Sequence, residues 1–176
     1  MAASFTRRTF VAAMTLGGGA MLVGCGRSTG GSTGQSGQPA AGSGEGSAMP
    51  PRNVAMTVYR DPGCGCCEAW ADLARKAGFN VELVNRTDMP AVKRRYGVPE
   101  ELASCHTAVV EGFVIEGHVP LADVDHLLEE RPSRVRGLAV PGMPRGSPGM
   151  EMPDGSKDPF AVMAFNAAGQ SSLFHS

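Results

Sequence analysis

The chain has 176 residues, which is enough for one ordinary domain with a hydrophobic core. Its 16 Lys and Arg residues nearly balance 17 Asp and Glu residues, so its formal net charge is -1 with histidine neutral. This balance excludes the strongly basic class of protein that binds nucleic acid or an anionic membrane through charge alone, and we expect no nucleic-acid partner.

The first 24 residues have the pattern of an export signal. Arg7 and Arg8 precede an apolar, glycine-rich run over residues 10–23, which is too short to remain as a membrane-spanning helix. The run ends in "LVGC" at Cys25 and resembles a bacterial lipoprotein signal, in which the cysteine is lipidated and becomes the first residue. We therefore predict a membrane-anchored lipoprotein that faces the periplasm. A simple cleaved signal with Cys25 unmodified is the alternative, and "TRRTF" leaves the twin-arginine and general secretory routes both open.

A flexible tether is predicted over residues 25–52, because Gly, Ser, Thr, Gln, Ala and Pro dominate this stretch and offer almost nothing to bury. The composition changes at residue 53. We predict that residues 53–176 form the folded domain.

The folded part begins with a strand, a cysteine-bearing turn and a helix. In "NVAMTVYR" the apolar residues alternate, as they do along a strand. After the cysteines, apolar residues recur with helical spacing until Gly78 stops the helix; they are Trp70, Leu73, Ala74 and Ala77.

Five further elements follow in chain order. "FNVELVN" alternates again, and Asp88 with Pro90 opens a short helix that Gly97 closes. "TAVV" and "FVIE" flank Glu111 and Gly112 as a hairpin does, and a third helix ends before Pro132. The order β-α-β-α-β-β-α resembles a thioredoxin-like fold, an α/β class with a central mixed sheet flanked by helices.

The C-terminal part extends beyond that minimal fold. "GLAVPGMPRGSPGMEMPDG" is predicted to be a long Gly, Pro and Met loop, and "FAVMAFNAAGQSSLF" a last hairpin around Ala168 and Gly169. A loop of this length in a compact domain is usually functional or disordered.

Three thiols lie within four positions in "DPGCGCCEAW". Adjacent cysteines such as Cys66 and Cys67 bridge each other only through a strained ring, so the best bridge inside the cluster is Cys64 to Cys67. A helix N-terminus favours thiolate, and we expect the cluster to be largely ionised near neutral pH. In a thioredoxin-like fold the position of Cys105, normally a cis proline, faces this turn. We therefore expect the sulfur of Cys105 to converge with the other three.

Three separate motifs in this chain, "CGCC", "SCHTAVVEGFVIEGHVP" and "GLAVPGMPRGSPGMEMPDG", make it resemble the CopG-like periplasmic copper-resistance family. The likeness runs from about Val54 to Phe174. It implies a thioredoxin-like domain that binds several Cu(I) ions through its cysteines, and it leaves room for redox cycling of the copper. Other periplasmic copper-handling proteins are implied as partners.

The residues themselves favour the same metal. Thiolates select Cu(I), and neighbouring thiolates bridge ions, so we predict a copper cluster ligated by Cys64, Cys66, Cys67 and Cys105. Zinc is the main rival, because four cysteines can close a tetrahedral site, but the adjacent Cys66 and Cys67 strain that geometry.

Methionine and histidine side chains are further candidates. Met150 and Met143, in the C-terminal loop, are predicted as thioether ligands, and gap-filling is the alternative. His106 is predicted to bind the metal or to orient a sulfur through a hydrogen bond. His118 is predicted to lie next to the ligands without binding the metal itself.

Two other functions stay open. Cys64 and Cys67 have the spacing of a thiol-disulfide oxidoreductase, although Cys66, Cys105 and the replaced proline all count against that activity. A passive copper chaperone or scavenger is the third possibility. Whether the protein is an enzyme, such as a copper oxidoreductase, is open at this point.

Overall fold

The computed structural model describes residues 52–175. The predicted signal at residues 1–24, the lipidation site Cys25 and nearly all of the predicted tether lie outside the described residues. Within residues 52–175, no helix is both long enough and apolar enough to cross a membrane.

One mixed sheet of seven strands organises the described residues, in the order β2-β1-β3-β4-β5-β6-β7. Two neighbouring pairs, β1 with β2 and β4 with β5, are parallel, and the other pairs are antiparallel. The elements are β1 (Ala55–Arg60), α1 (Gly65–Lys76), β2 (Asn80–Asn85), α2 (Met89–Tyr96), a short 3-10 helix (Glu100–Leu102), β3 (Thr107–Val110), β4 (Phe113–Glu116), α3 (Leu121–Glu130), β5 (Gly137–Ala139), β6 (Val162–Phe165) and β7 (Ser171–His175). The α/β class is confirmed, as is the predicted order β-α-β-α-β-β-α through α3.

The second helix, α2, begins and ends where its sequence signals placed it. The Asp88 carboxylate accepts a hydrogen bond from the backbone N–H of Ala91 at 3.0 Å, which satisfies one of the free N–H groups of the first turn. Gly97 ends the helix in the left-handed conformation, with φ of 71°, which glycine adopts without steric cost.

Trp70 anchors α1 over the sheet. Its side chain is fully buried, together with Met56 and Val58 of β1. The indole Nε1–H donates a hydrogen bond of 2.9 Å to the carbonyl of Val119, in the connection between β4 and α3. This contact holds the start of α1 close to the end of β4, so Trp70 positions the cysteine turn as well as filling the core.

The C-terminal extension continues the same sheet, and part of the sequence interpretation is wrong there. The first residues of the predicted loop form the buried strand β5, which pairs in parallel with β4 and antiparallel with β6. A three-residue strand that begins with glycine and is buried throughout shows no alternation of apolar and polar residues, so its sequence does not predict a strand. The predicted last hairpin is confirmed as β6 and β7.

Gly137 joins the extension to the rest of the sheet, and we expect Gly137→Ala to lower stability. An added Cβ would collide with the backbone carbonyl of Val114 and lie 2.8 Å from Cζ of the Phe165 ring, so β5 would have to shift. The expected loss in the free energy of unfolding is about 1–3 kcal/mol. Urea unfolding followed by Trp70 fluorescence measures it.

Gly65→Ala is the matched control, because an added Cβ at Gly65 meets nothing within 4 Å. This helical position should be neutral or gain up to about 1 kcal/mol. Equal stability changes in the two variants would contradict the close packing around Gly137.

Candidate metal centre

The turn that carries Cys64, Cys66 and Cys67 is held in place by Arg60, a largely buried residue at the end of β1. Its guanidinium donates a hydrogen bond of 3.0 Å to the carbonyl of Cys64, the residue that precedes α1. The backbone N–H of Cys64 donates to the carbonyl of Asp61 at 3.0 Å, and the Asp61 carboxylate accepts from Gly63 N–H at 2.9 Å. These bonds fix the backbone of the turn immediately before α1.

Four sulfur atoms converge beside the first turn of α1. Cys64 and Cys67 form a disulfide, the bridge that their spacing favoured, with their Cα atoms 5.4 Å apart. The Sγ of Cys66 lies 3.6 Å from that of Cys64. Cys105, which precedes β3, completes the group, and all four Sγ atoms lie within 4.8 Å of one another. Cys105 therefore faces the cysteine turn, as the sequence predicted.

The imidazoles of His106 and His118 lie close to Cys105. Its Sγ is 3.0 Å from Nε2 of His118 and 3.3 Å from Nδ1 of His106. The three donor atoms form a second group within 4.8 Å, and both histidines are fully buried. The His106 ring also packs against Trp70, with centroids 4.8 Å apart. Cys105 thus belongs both to the group of four sulfurs and to the group that it forms with the two imidazoles.

Burial determines the protonation of Cys105, His106 and His118. Burial, with the neighbouring Cys66, raises the pKa of the Cys105 thiol to about 12, so in the metal-free chain this thiol is protonated at neutral pH. The expectation of thiolate was made for the three cysteines at the helix N-terminus, and it does not extend to Cys105. Burial lowers the pKa of His106 and of His118, which keeps both rings neutral, the form that ligates metals.

The C-terminal loop packs directly on the cysteine turn. At Gly149 its backbone is so close to α1 that an added Cβ would lie 2.8 Å from the backbone nitrogen of Trp70 and 3.1 Å from the carbonyl oxygen of Cys66. The neighbouring carbonyl of Pro148 is 2.8 Å from Nδ1 of His118. The loop is therefore ordered against the site, and its contact with both α1 and His118 makes it a wall of the centre.

The two predicted methionine ligands, Met150 and Met143, differ in position and in exposure. Met150 follows Gly149 in the docked part of the loop and is half-buried. Met143 lies earlier in the loop with 56% of its surface exposed. Position therefore favours Met150 over Met143 as a neighbour of the sulfur cluster.

The sequence interpretation missed Glu116, a fully buried carboxylate at the end of β4. Its Oε1 accepts hydrogen bonds from Lys93 Nζ at 2.5 Å and from the backbone N–H of Ser104 at 2.7 Å. Its Oε2 accepts from the Thr107 hydroxyl at 2.7 Å. Glu116 thus holds the chain on both sides of Cys105.

The sequence pattern around Glu116 resembles that of an ordinary exposed acidic residue at a strand end. A single acidic residue ends an apolar strand, directly across the hairpin from Thr107. A buried carboxylate is costly unless it is paired and hydrogen-bonded, and burial raises its pKa while Lys93 offsets part of that rise. The partner that makes the burial tolerable is on α2, so the pattern of β4 alone does not reveal it.

Comparison with known proteins decides the family. Residues 102–150 match a family model described as DUF411, a protein of unknown function, and no curated protein matches. Two solved structures, entitled copper resistance protein CopG Form 1 and Form 2, are 46% and 45% identical to this chain. Each match covers 69% of this chain, with 94% and 95% of the respective solved chains covered and TM-scores of 0.64 and 0.65.

The chain belongs to the CopG-like copper-resistance family. The DUF411 match contains Cys105, His106, His118 and the docked loop through Met150, so in this CopG-like chain the family pattern falls on the imidazole side of the centre. The cysteine turn lies outside the DUF411 match.

We expect Glu116→Gln to loosen Cys105. The substitution removes the charge that pairs with Lys93 and exchanges one acceptor oxygen for an N–H₂ donor, so the segment around Cys105 loses part of its anchor. Stability should fall by about 1–3 kcal/mol. Alkylation of Cys105 by iodoacetamide, read site by site by mass spectrometry, should become faster.

Glu130→Gln is the matched control, because Glu130 ends α3 with an exposed carboxylate paired to His126. It should change neither quantity. An unchanged rate of Cys105 alkylation in Glu116→Gln would show that the carboxylate does not position this thiol.

Proposed function

We propose that this protein handles copper in the periplasm by binding several Cu(I) ions as a thiolate cluster. The observation that carries the proposal is the convergence of Cys64, Cys66, Cys67 and Cys105 within 4.8 Å, one of them from a distant part of the chain. Soft thiolate ligands select Cu(I), and sulfurs this close can bridge neighbouring ions. The two solved relatives are named for copper resistance, which supports the same metal.

The donor set fits this cargo when the disulfide is open. Opening the Cys64–Cys67 bond requires two electrons and gives two thiolates, so all four sulfurs become ligands only in the reduced chain. In the opposite direction, two thiolates that close the bond release two electrons, which reduce two Cu(II) to two Cu(I). We therefore propose redox cycling of copper at this centre as part of the same function.

Zinc fits less well. A structural zinc site needs four ligands at tetrahedral positions, and the adjacent residues Cys66 and Cys67 in the first turn of α1 strain that geometry. Cys67 is fully buried, whereas Cys66 is half-buried, so the two sulfurs meet different surroundings. A bridged cluster tolerates such inequality better than a single tetrahedral ion does.

Thiol-disulfide exchange is the second candidate function, and the Cys64–Cys67 disulfide is the observation that favours it. In that case Cys64, the more exposed of the pair, would attack the substrate. The sulfur of Cys66 lies 3.6 Å from that of Cys64, so the Cys66 thiolate could attack a mixed disulfide formed between Cys64 and a substrate. This neighbour makes exchange with a substrate less efficient than in a chain with two cysteines, and a passive copper chaperone remains the simpler alternative.

We also propose that Cys25 carries a lipid anchor and that the domain faces the periplasm, where other copper-handling proteins are its partners. The proposal rests on the export pattern of residues 1–25. Metabolic labelling with a fatty-acid analogue, compared between the natural chain and Cys25→Ser, tests it.

The cluster predicts that Cys66→Ser lowers copper capacity. The reduced full chain, titrated with Cu(I) without oxygen, should bind more than one ion, because each sulfur is available to bridge. Cys66→Ser removes one bridging atom and should bind fewer ions per chain. Elemental analysis together with X-ray absorption measures the stoichiometry and the sulfur ligation.

Cys25→Ser is the matched control, and it should leave the capacity of the folded domain unchanged. A stoichiometry of one or less, with tighter zinc binding, would overturn the cluster. If Cys66→Ser keeps its copper while Cys64→Ser abolishes insulin reduction, the oxidoreductase function replaces the proposal.

The docked loop predicts that Met150→Leu speeds copper release. Met150 directly follows Gly149, whose backbone contacts α1, so its thioether is the candidate in this loop to shield or ligate an ion at the cluster. Leucine keeps the apolar volume and removes the sulfur. Transfer of Cu(I) to an excess of a soluble chelator gives the off-rate.

Met143→Leu serves as the comparison, because Met143 is 56% exposed. It should release copper at the natural rate. Equal off-rates in all three proteins would mean that neither thioether retains the metal.

A further inference from the structure

A pair of tyrosines lies on the face of the sheet opposite to α1. In β1, Val58 belongs to the same core cluster as Trp70 of α1, so the next residue, Tyr59, points to the other face. Tyr96, the last residue of α2, meets it there. The Tyr96 hydroxyl donates a hydrogen bond of 2.8 Å to that of Tyr59, and the two ring centroids are 5.4 Å apart. Both tyrosines are half-buried and form a rigid base for the side chains around them.

Two arginines are held on the rings of that pair. The guanidinium carbon of Arg86, which directly follows β2, lies 5.9 Å from the centroid of the Tyr59 ring. That of Arg95 lies 5.5 Å from the centroid of the Tyr96 ring. Arg86 is held further by a hydrogen bond of 3.0 Å to the carbonyl of Asn85. A guanidinium that rests on an aromatic ring is restricted in its motion, while its N–H edge stays available to a planar acceptor such as a carboxylate.

These positive charges are not neutralised within the described chain. Among residues 52–175, five arginines form ion pairs with carboxylates: Arg52, Arg60, Arg75, Arg131 and Arg145. Arg86, Arg94 and Arg95 form none in this range, and all three are exposed. We call these three residues the arginine face. A cluster of unpaired like charges attracts a partner of the opposite sign.

A cavity beside Arg94 adds an apolar pocket to this surface. It lies between α2 and the short 3-10 helix and has a volume of about 350 Å³. Three apolar residues, two cations and one carboxylate line it: Pro90, Val98, Ala103, Lys93, Arg94 and Glu100. Because Lys93 is already paired with Glu116, Arg94 is the cation left to meet a ligand. A pocket of this kind at a surface takes an apolar side chain of a partner as an anchor.

We propose that the arginine face and the cavity beside it form a docking surface for a protein partner with a segment of Asp or Glu residues around one apolar side chain. The carboxylates pair with Arg86, Arg94 and Arg95, and the apolar side chain enters the cavity. Contacts steered by charge speed association and suit a transient encounter. This inference goes beyond the proposed function, and it depends on neither the copper cluster nor the lipid anchor.

The point where the chain enters the domain favours a protein over a lipid surface as the partner. Arg52, the first described residue, donates a hydrogen bond of 2.9 Å to Asp125 on α3, and its guanidinium carbon lies 5.2 Å from the centroid of the Phe79 ring. Phe79 and α3 pack in the core cluster that contains Trp70, on the α1 side of the sheet. An anchor that is joined to the domain on this side does not hold the arginine face against a membrane.

Synthetic peptides test both parts of the surface. The first peptide has glutamates on both sides of a single leucine, the second has glutamine for every glutamate, and the third has serine for the leucine. Each is titrated with the full chain carrying Cys25→Ser, and fluorescence anisotropy of the labelled peptide gives the affinity. We expect the first peptide to bind at least about tenfold more tightly than the second and to bind more tightly than the third, with an affinity that falls as salt is added.

Arginine variants test where the acidic peptide binds. The triple variant Arg86→Gln, Arg94→Gln, Arg95→Gln should weaken its binding by about 10–100-fold, and Arg95→Gln alone by roughly threefold or more. Arg134→Gln is the matched control, because Arg134 is an exposed arginine in the loop after α3 and its loss changes the net charge equally. It should bind normally. Arg95→Lys keeps the charge but loses the flat guanidinium, so it should also weaken binding.

The docking surface is overturned if the glutamate and glutamine peptides bind alike, or if Arg95→Gln and Arg134→Gln lose the same affinity. It is also overturned if vesicles of phosphatidylglycerol bind through these arginines while the glutamate peptide does not, since the face is then a membrane contact. The three side chains are exposed, so the triple variant should unfold at nearly the natural temperature, and Arg95→Gln carries the comparison if it does not. The Cu(I) titration of the reduced chain does not involve these arginines, so either proposal can fail alone.

Discussion

The placement of Cys105 against the first turn of α1 is the constraint on which the rest of the centre depends. Three cysteines of one turn cannot enclose an ion by themselves, because they lie on a single segment and two of them form a disulfide. The fourth sulfur comes from the start of β3, about forty residues later, and it reaches the others because β1 and β3 are neighbours in the sheet. The sheet register therefore builds the site, and the turn supplies most of its ligands.

A charged network maintains that placement. The buried Glu116 accepts bonds from Ser104 and Thr107, which flank Cys105 by one and two residues, and Lys93 balances its charge. A buried ion pair adds little net stability compared with apolar packing, but it fixes geometry, since each partner is costly to leave alone. In this chain the network fixes the segment that carries Cys105, because it bonds the residues on both sides of that thiol.

The sequence predicts the local elements well and the long-range contacts poorly. Asp88 and Gly97 mark α2 through capping chemistry that acts within one turn, and Glu111 with Gly112 marks the hairpin turn before β4, so these elements could be predicted from short patterns. The strand β5 could not, because its three residues are specified by the strands on either side of it. The convergence of Cys105 was predictable through the resemblance to a thioredoxin-like fold, which supplied the missing long-range information.

The roles of individual residues in the centre also depend on long-range contacts that the sequence does not reveal. The sequence places His106 beside Cys105 and therefore predicts that it ligates a metal or orients the sulfur, but adjacency alone does not distinguish the two roles. The structure shows that the carbonyl of Pro148, thirty residues beyond His118, decides which nitrogen of that ring is free. A loop that looked like an irregular connection thus sets the tautomer of a buried imidazole while its glycine packs on α1. The loop contacts both the cysteine turn and His118, so one segment that is distant in sequence lines both the sulfur and the imidazole parts of the centre.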